Sequence, residues 1–227
     1  SVPGSISPSA ASIFEEGIRI PPIKIVRRGI LQEDIIRLVV NNTREPEDRN
    51  LDLKVQIATN DFGVIQTTKL IEKMGLEAME VAVEDLLIYT SRRLKKHLLA
   101  LKQGSSSFTT WMDDDGLEGQ TLPLKANVKI EDGHLLIDFS GSGPQSRGAF
   151  NVMTTGVVAT VSYAVKALLD PDLPANDGLY SVIQLNMPRG SILNPVYPAA
   201  VGARTTTCQK LAGAIFGAFA QLLKKEQ

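Results

Sequence analysis

The stretch with the clearest chemical character runs from residue 138 to residue 151 and reads DFSGSGPQSRGAFN. An alternating apolar segment, 134–139, leads into it, and an apolar run with helical spacing, 152–169, follows it. This pattern predicts a strand that passes through a glycine-rich turn into a helix. The free N–H groups and the positive dipole end at a helix start suit an anion. The turn is not a Walker loop, because Gly-Lys-Ser/Thr does not follow the glycines.

The same stretch also has a purely structural interpretation. Glycines tolerate positive φ angles in turns, and Asn151 is a residue type that caps helices. A second helix start, 202–207, again combines glycine, a cation and hydroxyl side chains. Two such helix starts favour a site for an anionic ligand, although the chemistry alone does not identify that ligand. The candidate binding residues are Ser140, Gly141, Ser142, Asn151 and Arg204.

Three other groups of reactive side chains are interpreted as structural or solvated. The aspartates at 113–115 lack the alternate spacing of a Ca²⁺ loop, so a solvated turn ending at Gly116 is expected. His97 and His134 belong to no metal-ligand pattern and are expected at the surface. Cys208 has no His nearby in the sequence, which favours a buried thiol over a nucleophile.

Two helical segments dominate the first half of the chain. An apolar stripe with intervals of four and three residues follows Pro46, a residue suited to the first turn of a helix. Its members are Leu51, Val55, Ala58, Phe62 and Ile65. Gly75 ends this segment, and 76–101 forms a second helix whose apolar residues, among them Val83, Leu86, Leu94 and Leu98, are expected to face inward. We expect the two helices to form an αα-hairpin.

Alternating patterns replace the helical spacing in the second half. Strands are predicted over 107–112, 122–130, 134–139 and 181–186, and helices over 151–169 and 205–224. Because helices and strands occur in separate runs, the predicted fold class is α+β, with a long αα-hairpin, an antiparallel β-meander and packed helices. The expected domain organisation is 1–45, 46–104 and 105–227.

The composition favours a cytoplasmic protein without nucleic-acid or membrane partners. The 227 residues carry a net charge of −1, so no general attraction to nucleic acid or to an anionic membrane is expected. The basic residues at 92–97 match the dipole of a helix end and lack interleaved aromatic side chains. The single cysteine fits a reducing compartment. No apolar run reaches the roughly 18 residues that span a bilayer.

Several blocks of the sequence, taken together, resemble the B-type chain of the hydantoinase/5-oxoprolinase family, which is also similar to the alpha subunit of acetone and acetophenone carboxylases. The blocks are 3–8, 13–22 (IFEEGIRIPP), 49–58 (RNLDLKVQIA), 114–116, 138–142, 148 with 151, 168–178 (LLDPDLPANDG), 190–195 and 207–209. They occur in the family's order and cover essentially the whole chain. The match is to the central part of a longer subunit.

The resemblance implies part of an ATP-dependent system that opens cyclic amides such as hydantoins or 5-oxoproline, or, in a related branch, carboxylates ketones. It implies an A-type partner subunit that handles ATP, an oligomeric complex, and both ATP and a divalent metal for the complete complex. The family's metal-bearing block has no counterpart here, so this chain by itself is expected to hold no cofactor and to be inactive. The five candidate residues are then expected to contact substrate, and no catalytic residue is assigned. The alternative is a non-catalytic assembly module that docks through the long helices.

Overall fold

The computed structural model of the protein describes residues 6–117 and 119–223. The helices are α1 (Glu33–Val40), α2 (Pro46–Met74), α3 (Leu76–Ala100), α4 (Thr154–Leu169) and α5 (Arg204–Leu223), with short 3-10 helices at Ile13–Glu15 and Asp177–Leu179. The strands are β1 (Val26–Arg27), β2 (Ile30–Leu31), β3 (Gly104–Met112), β4 (Leu122–Glu131), β5 (His134–Asp138) and β6 (Ile183–Asn186). The predicted α+β class is confirmed.

Residues 17–84 form one compact unit of the chain. In it, β1 and β2 pair as an antiparallel ribbon, and α1 packs against α2. Helix α2 extends over 29 residues and ends at Gly75, whose φ of +85° explains the break that the sequence predicts there. None of the residues of α2 is buried. The apolar stripe of α2 therefore lies at the surface.

The other unit contains the described residues up to 16 and from 85 onward, and its centre is a four-stranded sheet in the order β3-β4-β5-β6. Strands β3, β4 and β5 form the predicted antiparallel meander. Strand β6 instead pairs in parallel with β5, and the chain between them contains α4. The last residues of β5 and β6, Asp138 and Asn186, are register partners.

The core of this unit lies between one face of the sheet and the helices α4 and α5. Alternate residues of β4, from Leu122 to Ile130, are buried, and α5 crosses β3 and β4 while also packing on α4. Gly217 is one of several small residues of α5. A Cβ at Gly217 would lie 2.4 Å from Cδ1 of Phe108, so the backbone of α5 approaches β3 as closely as glycine permits.

The sequence pattern predicted that α3 buries its whole apolar stripe, and this prediction is wrong for the first half of the helix. Val83 and Leu86 are 51% and 49% exposed, whereas Leu94 and Leu98 are fully buried in the core. The inward-facing part of α3 therefore begins near Thr90, which is also buried. Among the described residues, no helix combines the length and the apolar character needed to cross a bilayer.

Candidate functional site

A row of polar side chains crosses the outer face of the sheet where β5 and β6 end. Asn127 of β4, Asp138 of β5 and Asn186 of β6 are neighbours in register. Asn186 Nδ2 donates to Asp138 Oδ1 over 2.8 Å, and it also lies 3.3 Å from Ser140 Oγ. Asn127 Nδ2 donates to the carbonyls of Asp138 and Ser140, over 2.8 and 3.0 Å. Three strands therefore fix the start of the glycine-rich turn.

The carboxyl group of Asp138 is held in its ionised form. Its partial burial opposes ionisation, but the N–H of Ser140 (2.9 Å), the Ser140 hydroxyl and the Asn186 amide donate to it, and Lys125 adds a favourable charge. The pKa of Asp138 therefore lies below its ordinary value. At neutral pH this row presents a carboxylate beside amide donors.

The turn itself is anchored to β4. Gly141 has a φ of +94°, and a Cβ there would lie 3.0 Å from Cδ of Lys125, so the lysine side chain lies across this glycine. Ser142 Oγ accepts from the Lys125 N–H over 3.0 Å and lies 3.3 Å from the Lys125 carbonyl. The N–H of Gly143 donates to the Pro123 carbonyl over 2.7 Å. The hydroxyl of Ser142 thus bonds to backbone, while Gly141 is exposed.

Asn151 lies at the other end of the stretch and is fully buried. Its Nδ2 donates to the carbonyls of Ser146, Gly148 and Ala200 over 2.9, 3.1 and 3.0 Å, and its Oδ1 accepts from the Ser146 N–H over 2.7 Å. Helix α4 begins only at Thr154, with Met153 as its N-cap. The prediction that the helix begins at Asn151 is therefore wrong, because this side chain closes a loop instead of capping a helix.

An ion pair between a buried carboxylate and an exposed arginine, which no sequence pattern indicated, holds the same loop. Asp115 is 1% exposed, and its Oδ2 lies 2.9 Å from both Nε and Nη2 of Arg147. Its carbonyl accepts from Ser146 Oγ and from the Gly148 N–H, over 2.8 and 3.1 Å. The prediction of a solvated turn at 113–115 holds for Asp113, whose side chain is 86% exposed, but is wrong for Asp115. No local pattern identifies a partner 32 residues away.

The second predicted helix start binds a carboxylate of the chain itself. Glu16 accepts from the N–H of Val201 over 2.9 and 3.0 Å, and also from the N–H of Gly202. Arg204 is the first residue of α5 and is exposed, with Nη1 3.4 Å from the Val201 carbonyl. Within the described part of the chain, no hydrogen bond joins Arg204 to Ser140 or Ser142. At this turn the backbone N–H groups thus bind a side chain of the protein itself.

A cleft of about 660 Å³ lies on the outer face of β4, β5 and β6. Its lining includes Lys129, His134, Leu136, Tyr180 and Gln184, and none of the five candidate residues. Leu136 and Gln184 are register partners, and the next register pair on the same face is Asp138 with Asn186. Since two residues of a strand span about 6.6 Å, the polar row lies one step beyond the cleft.

The remaining reactive side chains have structural surroundings. His97 is 43% exposed at its side chain, and its Nε2 lies 3.2 Å from Oδ2 of the buried Asp170, which also pairs with Arg93. Cys208 is half-buried and packs against the core. Over residues 6–117 and 119–223, no group of three or more His, Cys, Asp or Glu side chains is placed to hold a metal ion. The described residues therefore do not form a site for the divalent metal that the resemblance implies for the complete complex.

Comparison with known proteins identifies the family. The sequence profile described as hydantoinase B/oxoprolinase matches residues 1–227. The chain belongs to this family. Among curated hydantoinase B relatives, it is 34% identical to a 5-oxoprolinase of Dictyostelium discoideum over 96% of this chain and 18% of that protein. It is 28% identical to the beta subunit of the caprolactamase of Pseudomonas jessenii over 94% of this chain and 37% of that subunit.

Solved structures agree with the hydantoinase B assignment. The ATP-dependent caprolactamase from Pseudomonas jessenii superposes with a TM-score of 0.88 and 26% identity, over 97% of this chain and 38% of the caprolactamase chain. Nucleotide-free acetone carboxylase has a TM-score of 0.77 at 18% identity, which shows a shared fold. The chain spans well under half the length of these relatives.

Proposed function

We propose that this chain supplies substrate-contacting loops to a B-type, ATP-dependent cyclic-amide hydrolase. The observation that carries the proposal is the polar row of Asp138 and Asn186 beside an open cleft, in a chain that matches hydantoinase B throughout. Two relatives are named for reactions on cyclic amides, 5-oxoprolinase and caprolactamase. These names support our choice of the hydrolase branch of the family over the carboxylase branch.

The chemistry of the row matches a cyclic amide. A small ring holds its amide in the cis form, so the N–H and the C=O lie side by side along one edge of the ligand. Asp138 is ionised and can accept the N–H, and Asn186 Nδ2 can donate toward the C=O with the hydrogen that otherwise points to Ser140 Oγ, 3.3 Å away. A carboxylate offers about four acceptor positions, so the contacts from Ser140 and Asn186 leave room for one more donor. Leu136 in the cleft supplies an apolar surface for ring methylenes.

The five candidate residues take different parts in this proposal. Ser140 and Gly141 lie at the polar row and contact the ligand. Ser142 and Asn151 act as positioning residues, since their polar atoms bond to the backbone of the loop and of neighbouring segments. Arg204 is exposed at the start of α5 and contacts a charged part of the complete complex or its substrate.

In this proposal, other parts of the complete complex bind ATP and the metal. The caprolactamase and the acetone carboxylation reaction are both described as ATP-dependent. Two curated relatives are named as subunits, one of a hydantoinase and one of a caprolactamase. We therefore assign ATP handling to an A-type partner subunit and metal binding to residues outside this chain. No described residue is assigned as a catalytic group of ring opening.

The test is ligand binding followed by reconstitution. Isothermal titration of the purified chain with caprolactam, hydantoin and 5-oxoproline should give binding that Asp138→Asn and Asn186→Ala each weaken by about 10- to 100-fold, the effect of losing a hydrogen bond that involves a charged group. Asp113→Asn and Asn60→Ala change the same side-chain types at exposed positions and should leave the affinity unchanged. With an A-type subunit and ATP, the same ranking should appear in the rate of ring opening.

Two results would contradict the proposal. One is equal binding by the site variants and their controls. The other is no binding of any of the three cyclic amides to a chain that still associates with an A-type subunit.

The second candidate function is an assembly module, and α2 favours it. This helix has no buried residue, and large apolar side chains such as Phe62 are more than half exposed. Apolar patches of this kind mark surfaces that bind another protein. The two functions are compatible, because the polar row and α2 lie in different units of the chain.

A further inference from the structure

The apolar stripe of α2 has the spacing of a coiled-coil seam. Its five residues follow one another at intervals of four, three, four and three, which is the a/d repeat of helices that wind around each other. Leu51, Val55, Phe62 and Ile65 are 62%, 55%, 62% and 51% exposed, and Ala58 is exposed as well. The seam therefore suits one helix of similar pattern, whose side chains would fill the spaces between these residues.

The charges beside the seam favour a second α2 as that helix. Lys54 and Asp61 are both exposed and lie seven residues apart, so they occupy the same flank of the seam. In an antiparallel pair, this flank faces the same flank of the other helix. If Val55 lies opposite Ala58 of the second copy, Leu51 lies opposite its Phe62, and Lys54 comes beside its Asp61. Two-fold symmetry then produces this ion pair twice.

A parallel arrangement lacks this match. In a parallel pair, the flank that carries Lys54 and Asp61 faces the opposite flank of the other helix, where Asp52 and Thr59 lie. Lys54 would then lie beside Thr59, and neither charge would find its complement. Self-complementary charge thus selects the antiparallel pair.

We propose that α2 pairs with α2 of a second copy of this chain as an antiparallel coiled coil, closed by two Lys54–Asp61 ion pairs. The proposal rests on the assembly function above, and names its surface and its partner. It is independent of ligand binding at the polar row.

Sedimentation equilibrium of the purified chain tests the apolar seam. The wild-type chain should form a dimer, and Phe62→Glu should be monomeric at the same concentrations. Val64→Glu is the matched control, because Val64 is 66% exposed on the same helix but faces away from the seam, and this variant should dimerise like the wild type. Far-UV circular dichroism of each variant checks that the helices remain folded.

A charge exchange tests the register. Lys54→Glu and Asp61→Lys should each raise the dimer Kd by at least about tenfold, because each creates two like-charge contacts. The double variant should return to within about threefold of the wild type. Mixing the two single variants should produce a heterodimer with two restored ion pairs. On one side the two introduced side chains meet, a glutamate at position 54 and a lysine at position 61, and on the other side the unchanged Asp61 meets the unchanged Lys54.

Three outcomes would overturn the proposal. They are a wild-type chain that stays monomeric to about 100 µM, a dimer that Phe62→Glu does not weaken, and single-charge variants that behave like the double variant. A monomeric chain that an A-type subunit captures through α2 would overturn the second copy as partner while leaving the assembly function in place.

Discussion

Changing Asn151 or Asn186 to alanine should have opposite effects, because the first substitution affects stability and the second affects ligand binding. Asn151→Ala removes a buried amide and leaves three carbonyls and the Ser146 N–H without this partner. The NH2 group has two hydrogens to share among the three carbonyls, so three hydrogen bonds are lost in all, and at about 1 kcal/mol each the loss is about 3 kcal/mol in the free energy of unfolding. Asn186→Ala removes an exposed side chain and should cost less than about 1 kcal/mol.

Thermal unfolding followed by the fluorescence of Trp111 measures both variants. Trp111 is the only tryptophan of the chain and lies on β3, in the same unit as both asparagines. For a chain of this size, a loss of about 3 kcal/mol corresponds to a fall of about 6–12 °C in Tm. Asn186→Ala should keep the wild-type Tm and lose affinity for cyclic amides. The reasoning fails if Asn151→Ala unfolds within about 3 °C of the wild type, or if Asn186→Ala proves the less stable of the two.

Two further predictions concern stability in the separate units. The Arg93 guanidinium, opposed by burial, holds the pKa of Asp170 below its ordinary value, so the carboxylate stabilises the fold above about pH 3.9 and loses this effect as the pH falls through the folded pKa. Asp170→Asn should lower the Tm by several degrees at pH 7. The prediction is contradicted if the difference in Tm between the variant and the wild type does not become smaller below about pH 4. A Cβ at Gly63 meets nothing within 4 Å, so Gly63→Ala should stabilise α2 by up to about 1 kcal/mol in urea unfolding. Gly148→Ala would place a Cβ 2.3 Å from the Asp115 carbonyl and should lower the free energy of unfolding by at least about 2 kcal/mol. The packing argument fails if the two substitutions change the free energy of unfolding in the same direction.

Local patterns predicted the elements well where one periodicity continued over many residues. Alternation from Leu122 to Ile130 identified β4, and Pro46 and Gly75 marked the two ends of α2. The interpretation of the apolar stripe of α3 was wrong in its first half, because periodicity reveals which residues share a face but not whether another element covers that face. Val83 and Leu94 belong to the same kind of pattern, yet only Leu94 is buried.

The candidate site was harder to predict, because its contacts join distant parts of the chain. Asp115 and Arg147 are separated by 32 residues, and Glu16 and Val201 by 185. The importance of Asn186 depends on the parallel pairing of β5 with β6, for which the sequence has no local signal. Asp138 lies in the stretch that the sequence singles out, but its partner Asn186 lies 48 residues away.

The glycine-rich stretch has one part that lies beside the polar row and another part that is held by hydrogen bonds to the rest of the unit. Ser142 and Gly143 are bonded to β4, and the segment from Ser146 to Asn151 is bonded to Asp115 and Ala200. Between the sheet and these anchors, only Ser140 and Gly141 remain beside the polar row. A turn fixed at both ends loses little conformational freedom when a ligand binds, so more of the contact energy appears as affinity. The glycines are therefore better explained by close packing against Lys125 and Asp115 than by an anion held at a helix start.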